Sequence, residues 1–185
     1  MIITGGEARG RRIASPEGMA VRPTASKIRQ AFFNILGERV AGSAFLDIFA
    51  GSGLMGLEAL SRGAESLTAI EESRKMVRAI QVSLDTLGYE GLILSGDFRC
   101  ILPQLELDAY DLIFADPPYK SPFAASVLTI IDGHCLLKPD GRLAIEHARS
   151  YGFPQDLTRL KLVDTRAYGQ TGISFFERVD GGTNT

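Results

Sequence analysis

Apolar and polar residues follow two rhythms along this chain. Short apolar runs, Ala44 to Leu46, Ser66 to Ile70, Leu92 to Leu94, Tyr110 to Ala115 and Arg142 to Glu146, read as buried strands. Between them apolar residues recur at helical spacing: Leu54, Leu57 and Leu60, then Met76, Val77, Ile80, Leu84 and Leu87 as far as Gly88, and finally Ala124 to Ile131. Lys138-Pro139-Asp140-Gly141 reads as the turn before the fifth strand. Strand and helix in alternation predict an α/β fold, a parallel sheet with right-handed crossovers and helices on both faces. Ligands of such sheets bind at the carboxyl ends of the strands.

Both ends depart from that rhythm. Ile2 to Thr4 and Arg11 to Ala14, joined by the glycine-rich Gly5 to Gly10, predict a small hairpin, and Ser15-Pro16-Glu17-Gly18 a turn. A helix capped by Thr24 follows, its apolar stripe Ile28, Ala31, Phe32, Ile35 and Leu36 ending at Gly37. At the other end Leu160, Leu162 and Asp164 to Arg166, the turn Gly169 to Gly172, and Ile173 to Glu177 predict an antiparallel hairpin without a crossover helix. Asp180 to Thr185 reads as a disordered tail. The expected organisation is an extension over 1–40, a main domain over 41–179 and the tail.

The chemistry centres on Asp47-Ile48-Phe49-Ala50-Gly51-Ser52-Gly53-Leu54-Met55-Gly56, at a strand-to-helix turn. Gly51, Gly53 and Gly56 match the dinucleotide pattern G-x-G-x-x-G, where backbone amides approach a ligand closely. Asp47, four residues before the first glycine, would crowd a pyrophosphate but suits the cationic amino-acid part of S-adenosylmethionine. Glu71, twenty residues after Gly51, can accept ribose hydroxyl protons under either reading. Asp116-Pro117-Pro118-Tyr119 breaks the tie, because a dehydrogenase needs no such segment after its fourth strand. Asp47, Glu71, Asp97 and Asp116 fall one after each of the first four strands.

An exocyclic base amine is a weak nucleophile, its lone pair being delocalised into the ring. With one N–H accepted by Asp116 and another by the Pro117 carbonyl, that lone pair is directed at a methyl sulfonium. Pro117 and Pro118 stiffen the loop, and Tyr119 offers a stacking surface. The amine proton passes to Asp116 or to water.

With 185 residues and 45% hydrophobic content, the chain suffices for one well-buried core. It has no apolar run near the roughly 18 residues of a membrane span and begins without a charged-then-apolar leader, so a cytoplasmic protein with no membrane partner is expected. Cys100 and Cys135 lack metal or redox spacing and read as reduced thiols, and His134 and His147 read as structural, so no metal is expected. The net charge of −2 hides an asymmetry: residues 1–40 carry seven basic and three acidic side chains, +4, leaving −6 for the remainder. A basic, arginine-rich front on an acidic body suggests a polyanionic partner.

Gly6 to Arg12, Arg22-Pro23-Thr24 with Lys27 and Arg29, Phe33 to Leu36, Phe45 to Gly53, Asp116 to Tyr119 and Tyr168-Gly169, in this order over nearly the whole chain, resemble the bacterial small-subunit ribosomal RNA guanine-N2 methyltransferases. The resemblance implies a class I, Rossmann-like methyltransferase fold: a three-layer sandwich around a seven-stranded, mostly parallel sheet with a C-terminal antiparallel hairpin. It implies S-adenosylmethionine as donor and a guanine amine of 16S ribosomal RNA, in an assembled or assembling small subunit, as acceptor. By position, Asp47, Gly51 and Gly53 would embrace the methionine part, with Phe49 and Ser52 in the same cofactor loop. Glu71 would take the ribose, Asp97 with Phe98 the adenine, and Asp116, Pro117, Pro118 and Tyr119 the target base. Arg9, Arg11, Arg12, Arg22, Lys27 and Arg29 would grip RNA phosphates. Independently of the resemblance, no long exposed apolar segment forces assembly, and a monomer is expected. Ile2, where family members often carry a basic residue, departs from the pattern. A DNA adenine or cytosine amino methyltransferase and a non-catalytic ribosome-assembly factor are the competing readings. The first lacks a target-recognition domain, and the second leaves the cleft acids without a task.

Overall fold

A computed structural model describes residues 1–14, 23–119 and 121–179, with only the backbone of 23–25. The expected turn at Ser15 to Gly18, the residue Arg22 and the expected tail lie outside the described residues. The chain forms two compact units, Met1–Phe98 and Arg99–Thr185.

The first unit contains α1 (Pro23–Leu36), a 3₁₀ turn at Gly37–Val40, β1 (Ala44–Ile48), α2 (Leu54–Ser61), β2 (Ser66–Glu71), α3 (Arg74–Leu87) and β3 (Leu92–Ser95). Its strands lie in the order β3-β2-β1, all parallel, as crossover helices require. Phe45, Leu46 and Ile48 of β1 are fully buried, as are Ile80 and Leu84 of α3 and Leu57 of α2, so the predicted apolar positions make the core. Helix α1 starts at Pro23, whose fixed φ suits a first helical position, which puts Thr24 inside the first turn rather than before it. The left-handed Gly88 ends α3, with the Tyr89 amide donating back to the Leu84 carbonyl.

The two arms of the N-terminal extension run antiparallel through the Ile2–Arg12 bridge, with Ile3 N donating to Arg11 O, Gly10 N to Ile3 O and Ile13 N to Met1 O at 2.9–3.1 Å. Three further backbone groups turn to α2 and α3: Glu7 N donates to Ser61 O at 2.8 Å, Ala8 N to Ser61 Oγ at 3.0 Å and Ala14 N to Ser83 Oγ at 3.0 Å. The anchor is Glu58, fully buried in α2. Its carboxylate accepts the backbone and hydroxyl of Thr4, Arg29 Nε at 2.8 Å and Arg62 Nη2 at 2.8 Å. Arg29 also reaches the Ile2 carbonyl and is only 5% exposed. Its expected place among the phosphate-gripping cations is therefore corrected, because this guanidinium is consumed inside the fold.

The second unit contains β4 (Tyr110–Ala115), α5 (Phe123–His134), β5 (Leu137–Ala148), β6 (Leu160–Tyr168) and β7 (Thr171–Arg178), preceded by the short helical turn α4 (Phe98–Ile101) that begins at the end of the first unit. The strand order is β4-β5-β7-β6, with β5 parallel to β4 and β7 antiparallel to both its neighbours. The terminal hairpin is thus present. Lys138 to Gly141 is not a turn before β5 but a bulge within it. Tyr110 pairs with Leu137 and Leu112 already with Arg142, and Asp140 takes φ +63°.

Candidate active site

The glycine turn of the first unit is held by backbone conformations that few side chains accept. Gly51 and Gly53 have φ of +55° and +75°, and Phe49 sits at +64°, a strained value for an aromatic residue. Such strain marks a loop whose shape the surrounding contacts impose. Gly53 N donates to Ala50 O at 2.7 Å, and Ala50 N to Ile70 O at 3.0 Å, which ties the turn to β2.

Asp47 and Glu71 brace this turn from both sides. Asp47 is 1% exposed, and its Oδ2 accepts Gly56 N, in the first turn of α2, at 3.1 Å. Gly56 has a second constraint: a Cβ there would lie 2.5 Å from Leu67 Cδ1, so the third glycine of the motif is required for helix-to-strand packing. Glu71 accepts Gly51 N at 2.7 Å on one oxygen and Ser73 N at 2.8 Å on the other. Each oxygen keeps a lone pair for a hydroxyl donor. Ser52 is buried in the loop, and Asp97 stands just beyond β3, next to the buried Phe98. The Phe98 and Phe49 rings lie 4.8 Å apart between centroids. Three acids and two aromatic rings around a glycine turn therefore gather in one unit. Their donor-acceptor chemistry fits an amino acid cation, a ribose diol and an adenine.

In the second unit Asp116 follows β4 directly and is exposed, as is Pro118, while Pro117 is buried. Ser121 fastens the loop, its amide and hydroxyl both donating to the Pro118 carbonyl. Tyr119 keeps 41% of its surface exposed, yet its hydroxyl reaches inward and donates to Glu146 Oε1 at 2.6 Å. Thr171 Oγ1 lies 2.8 Å from the same phenol oxygen. Burial, the hydrogen bond to Glu146 and the negative charge of Glu146 and Asp116 push the Tyr119 phenol up to about 12, against a smaller opposing effect of Thr171. Glu146 and Thr171 escaped sequence reasoning. Glu146 was visible only as the end of a strand, and Thr171 only as part of a turn.

His147 follows Glu146 in β5, with its side chain on the opposite face of the sheet from Glu146. Its Nδ1 donates to Ala148 O, and its Nε2 lies 2.8 Å from Ser174 Oγ, with Thr165 Oγ1 next in the chain. Burial disfavours the charged imidazole and lowers its pKa, against a smaller opposing effect of the bond to the Ala148 carbonyl. Of the expected phosphate-gripping residues, Arg9, Arg12 and Lys27 are exposed. Arg11 is exposed too, although its Nη2 donates to Thr86 O at 2.8 Å. Among the described residues no helix is long and apolar enough to cross a membrane.

A family model described as "Conserved hypothetical protein 95" matches residues 1–177. The chain is 31% identical over 182 residues to the "Putative rRNA methyltransferase YlbH" of Bacillus subtilis, covering 96% of this chain and 99% of that protein. It is 28% identical to the "Ribosomal RNA small subunit methyltransferase D" of Escherichia coli K12, covering 95% and 89%. Among solved structures, a "Putative methyltransferase yhhF" from Escherichia coli superposes with a TM-score of 0.84 at 27% identity over 96% of this chain and 97% of that one. The seven-stranded mixed sheet is accordingly that of the class I methyltransferases. The sheet, the braced glycine turn, the segment after β4 and these similarities converge on one conclusion: the chain belongs to the Conserved hypothetical protein 95 family, which holds the small-subunit ribosomal RNA methyltransferase D type of S-adenosylmethionine-dependent methyltransferases.

Proposed function

We propose that this chain methylates the exocyclic N2 amine of a guanine in 16S ribosomal RNA of the small ribosomal subunit. The observation that carries the reading is the Asp116 to Tyr119 segment after β4, with a half-exposed aromatic face beside acceptor groups, in a chain whose relatives are named for ribosomal RNA methylation. S-adenosylmethionine supplies the electrophilic methyl group when bound. Asp47 would hold its ammonium, Glu71 its ribose hydroxyls, and Asp97 with Phe98 and Phe49 its adenine, while Gly51, Ser52 and Gly53 line the turn. Asp116 and the Pro117 carbonyl would each accept a hydrogen bond from the guanine amine, leaving the nitrogen lone pair directed for in-line attack, with one amine proton then lost to Asp116 or to water. Tyr119 stacks on the base. Arg9, Arg11, Arg12 and Lys27 of the extension would contact phosphates, which anchors RNA without reading its sequence.

The test is methyl transfer from labelled S-adenosylmethionine into small subunits lacking the modification, with the labelled nucleotide mapped. Label at a guanine N2 supports the reading. Its absence from every guanine amine, in a protein that binds S-adenosylhomocysteine, refutes it.

A further inference from the structure

We propose that Glu146 and Thr171 are positioning residues for the target base: together they pin the Tyr119 phenol, so that the orientation of its exposed ring is set by the sheet rather than by the loop that carries it. The inference rests on the function proposed above and assigns a task to two residues outside the Asp116 to Tyr119 segment.

The direction of the hydrogen bonds follows from proton count. Glu146 accepts the phenolic proton at 2.6 Å. The phenol has only one, so the contact at 2.8 Å must be Thr171 donating to the phenol oxygen. A chain from Thr171 through Tyr119 to the Glu146 carboxylate results, its last bond charge-assisted and therefore among the stronger kinds.

The pinning pair is itself buried in the sheet. Glu146 is 8% and Thr171 6% exposed. They belong to antiparallel neighbours, with Ala148 opposite Thr171 and Glu146 opposite Ile173, so the two side chains are diagonal neighbours on one face of the β5-β7 ladder. The intervening pair, His147 opposite Gly172, points to the other face. There a Cβ at position 172 would lie 2.6 Å from His147 Cε1, so the histidine is packed against bare backbone. Neither strand can shift by one residue without exchanging these faces.

Tyr119 is thus fixed at both ends, at its Cα by the Pro117-Pro118 loop and at its hydroxyl by the sheet. Its face is available for stacking while its rotamer is not free. Pre-setting the ring removes an ordering cost when a base arrives and holds the amine near the productive geometry.

The experiment compares Glu146→Gln, Glu146→Ala, Thr171→Val, Tyr119→Phe and the Tyr119→Phe/Glu146→Ala double variant. It measures kcat on small subunits lacking the modification and affinity for S-adenosylhomocysteine. Glu146→Ala and Tyr119→Phe should each lower kcat by about ten- to a hundredfold. Glu146→Gln, which keeps an acceptor oxygen, should retain most activity. S-adenosylhomocysteine affinity should stay within about twofold throughout, and the double variant should be no slower than the worse single one. A folded Glu146→Ala with wild-type kcat, or losses that multiply in the double variant, would overturn the inference. If Glu146→Ala does not fold, Thr171→Val decides instead: undiminished kcat there also overturns it. Nuclear magnetic resonance titration of ring-labelled tyrosine reads the pin without turnover, since the Tyr119 phenol should titrate lower in Glu146→Gln than in the wild type. An unchanged titration refutes the pin, whereas wild-type protein that methylates no guanine refutes the function and leaves the pin to this measurement.

Discussion

Replacing Glu58 should be the most damaging single change to the first unit. Three chemically distinct donors converge on its carboxylate, Thr4, Arg29 and Arg62, and none of it is exposed. The two arginines are not equivalent. The Arg62 side chain is 23% exposed and can swing into water, whereas that of Arg29 is 6% exposed and stays behind as an unpaired charge. Leaving one partner of a buried pair uncompensated costs about 3–5 kcal/mol. For a chain of this length that corresponds to a melting temperature lower by about 6–20 °C. Glu58→Leu, unfolded in urea and by heat, should show this loss, together with faster amide exchange at Thr4 and Ala8. Glu58→Leu combined with Arg29→Met should recover most of it, because both charges are then gone. A loss below about 1 kcal/mol would place the pair with ordinary surface bridges and refute the reasoning. The same site imposes an acid limit. Burial disfavours the carboxylate, but the hydrogen bonds from Thr4 and Arg62 and the charge of Arg29 outweigh it, so the Glu58 pKa falls below 4.5. A depressed folded-state pKa means that the stabilisation is complete above about 4.5 and is lost as pH falls through the folded value, so urea midpoints should drop steeply in that window.

Asp47→Asn should abolish S-adenosylhomocysteine binding in calorimetry while leaving a folded protein, and undiminished affinity would remove Asp47 from the cofactor site. Gly56→Ala should destabilise by about 1–3 kcal/mol through the clash with Leu67, and Leu67→Ala in the same chain should relieve part of it, both read from urea midpoints. Replacing Arg9 and Arg12 by Ala should weaken binding to the small subunit about equally for any sequence. The logarithmic salt dependence should become shallower by about one for each phosphate no longer neutralised, whereas an unchanged slope would exclude both arginines from the interface.

Local patterns in this chain were readable because they are short in sequence. The strands, the glycine turn and the acids after the strands each depend on residues within one turn or one alternation of each other. Gly56 shows the limit: the motif identified it, but its contact with Leu67 comes from the next strand. Arg29 shows the failure. Counted with the basic front by proximity, it is drawn inward by a glutamate 29 residues later that sits in the otherwise apolar run Leu54 to Leu60. An acid in such a stripe signals a buried cation somewhere, without saying which. The bulge in β5 and the seating of Tyr119 on Glu146 and Thr171 were hidden for the same reason, since strand register is decided between elements and not along them.

The seating of the extension also sets an order of events during synthesis. Its partners on α2 and α3 lie 53 to 75 residues downstream, from Ala8 with Ser61 to Arg11 with Thr86. Residues 1–14 therefore leave the ribosome well before the surface that receives them exists, and Arg29 emerges before the carboxylate that neutralises it. Until Glu58 appears, Arg29 adds to the positive charge of the emerging segment. Folding of the first unit then converts the Arg29 charge into internal structure and leaves Arg9, Arg11, Arg12 and Lys27 exposed, so the positive charge that the extension presents to solvent falls when α2 forms.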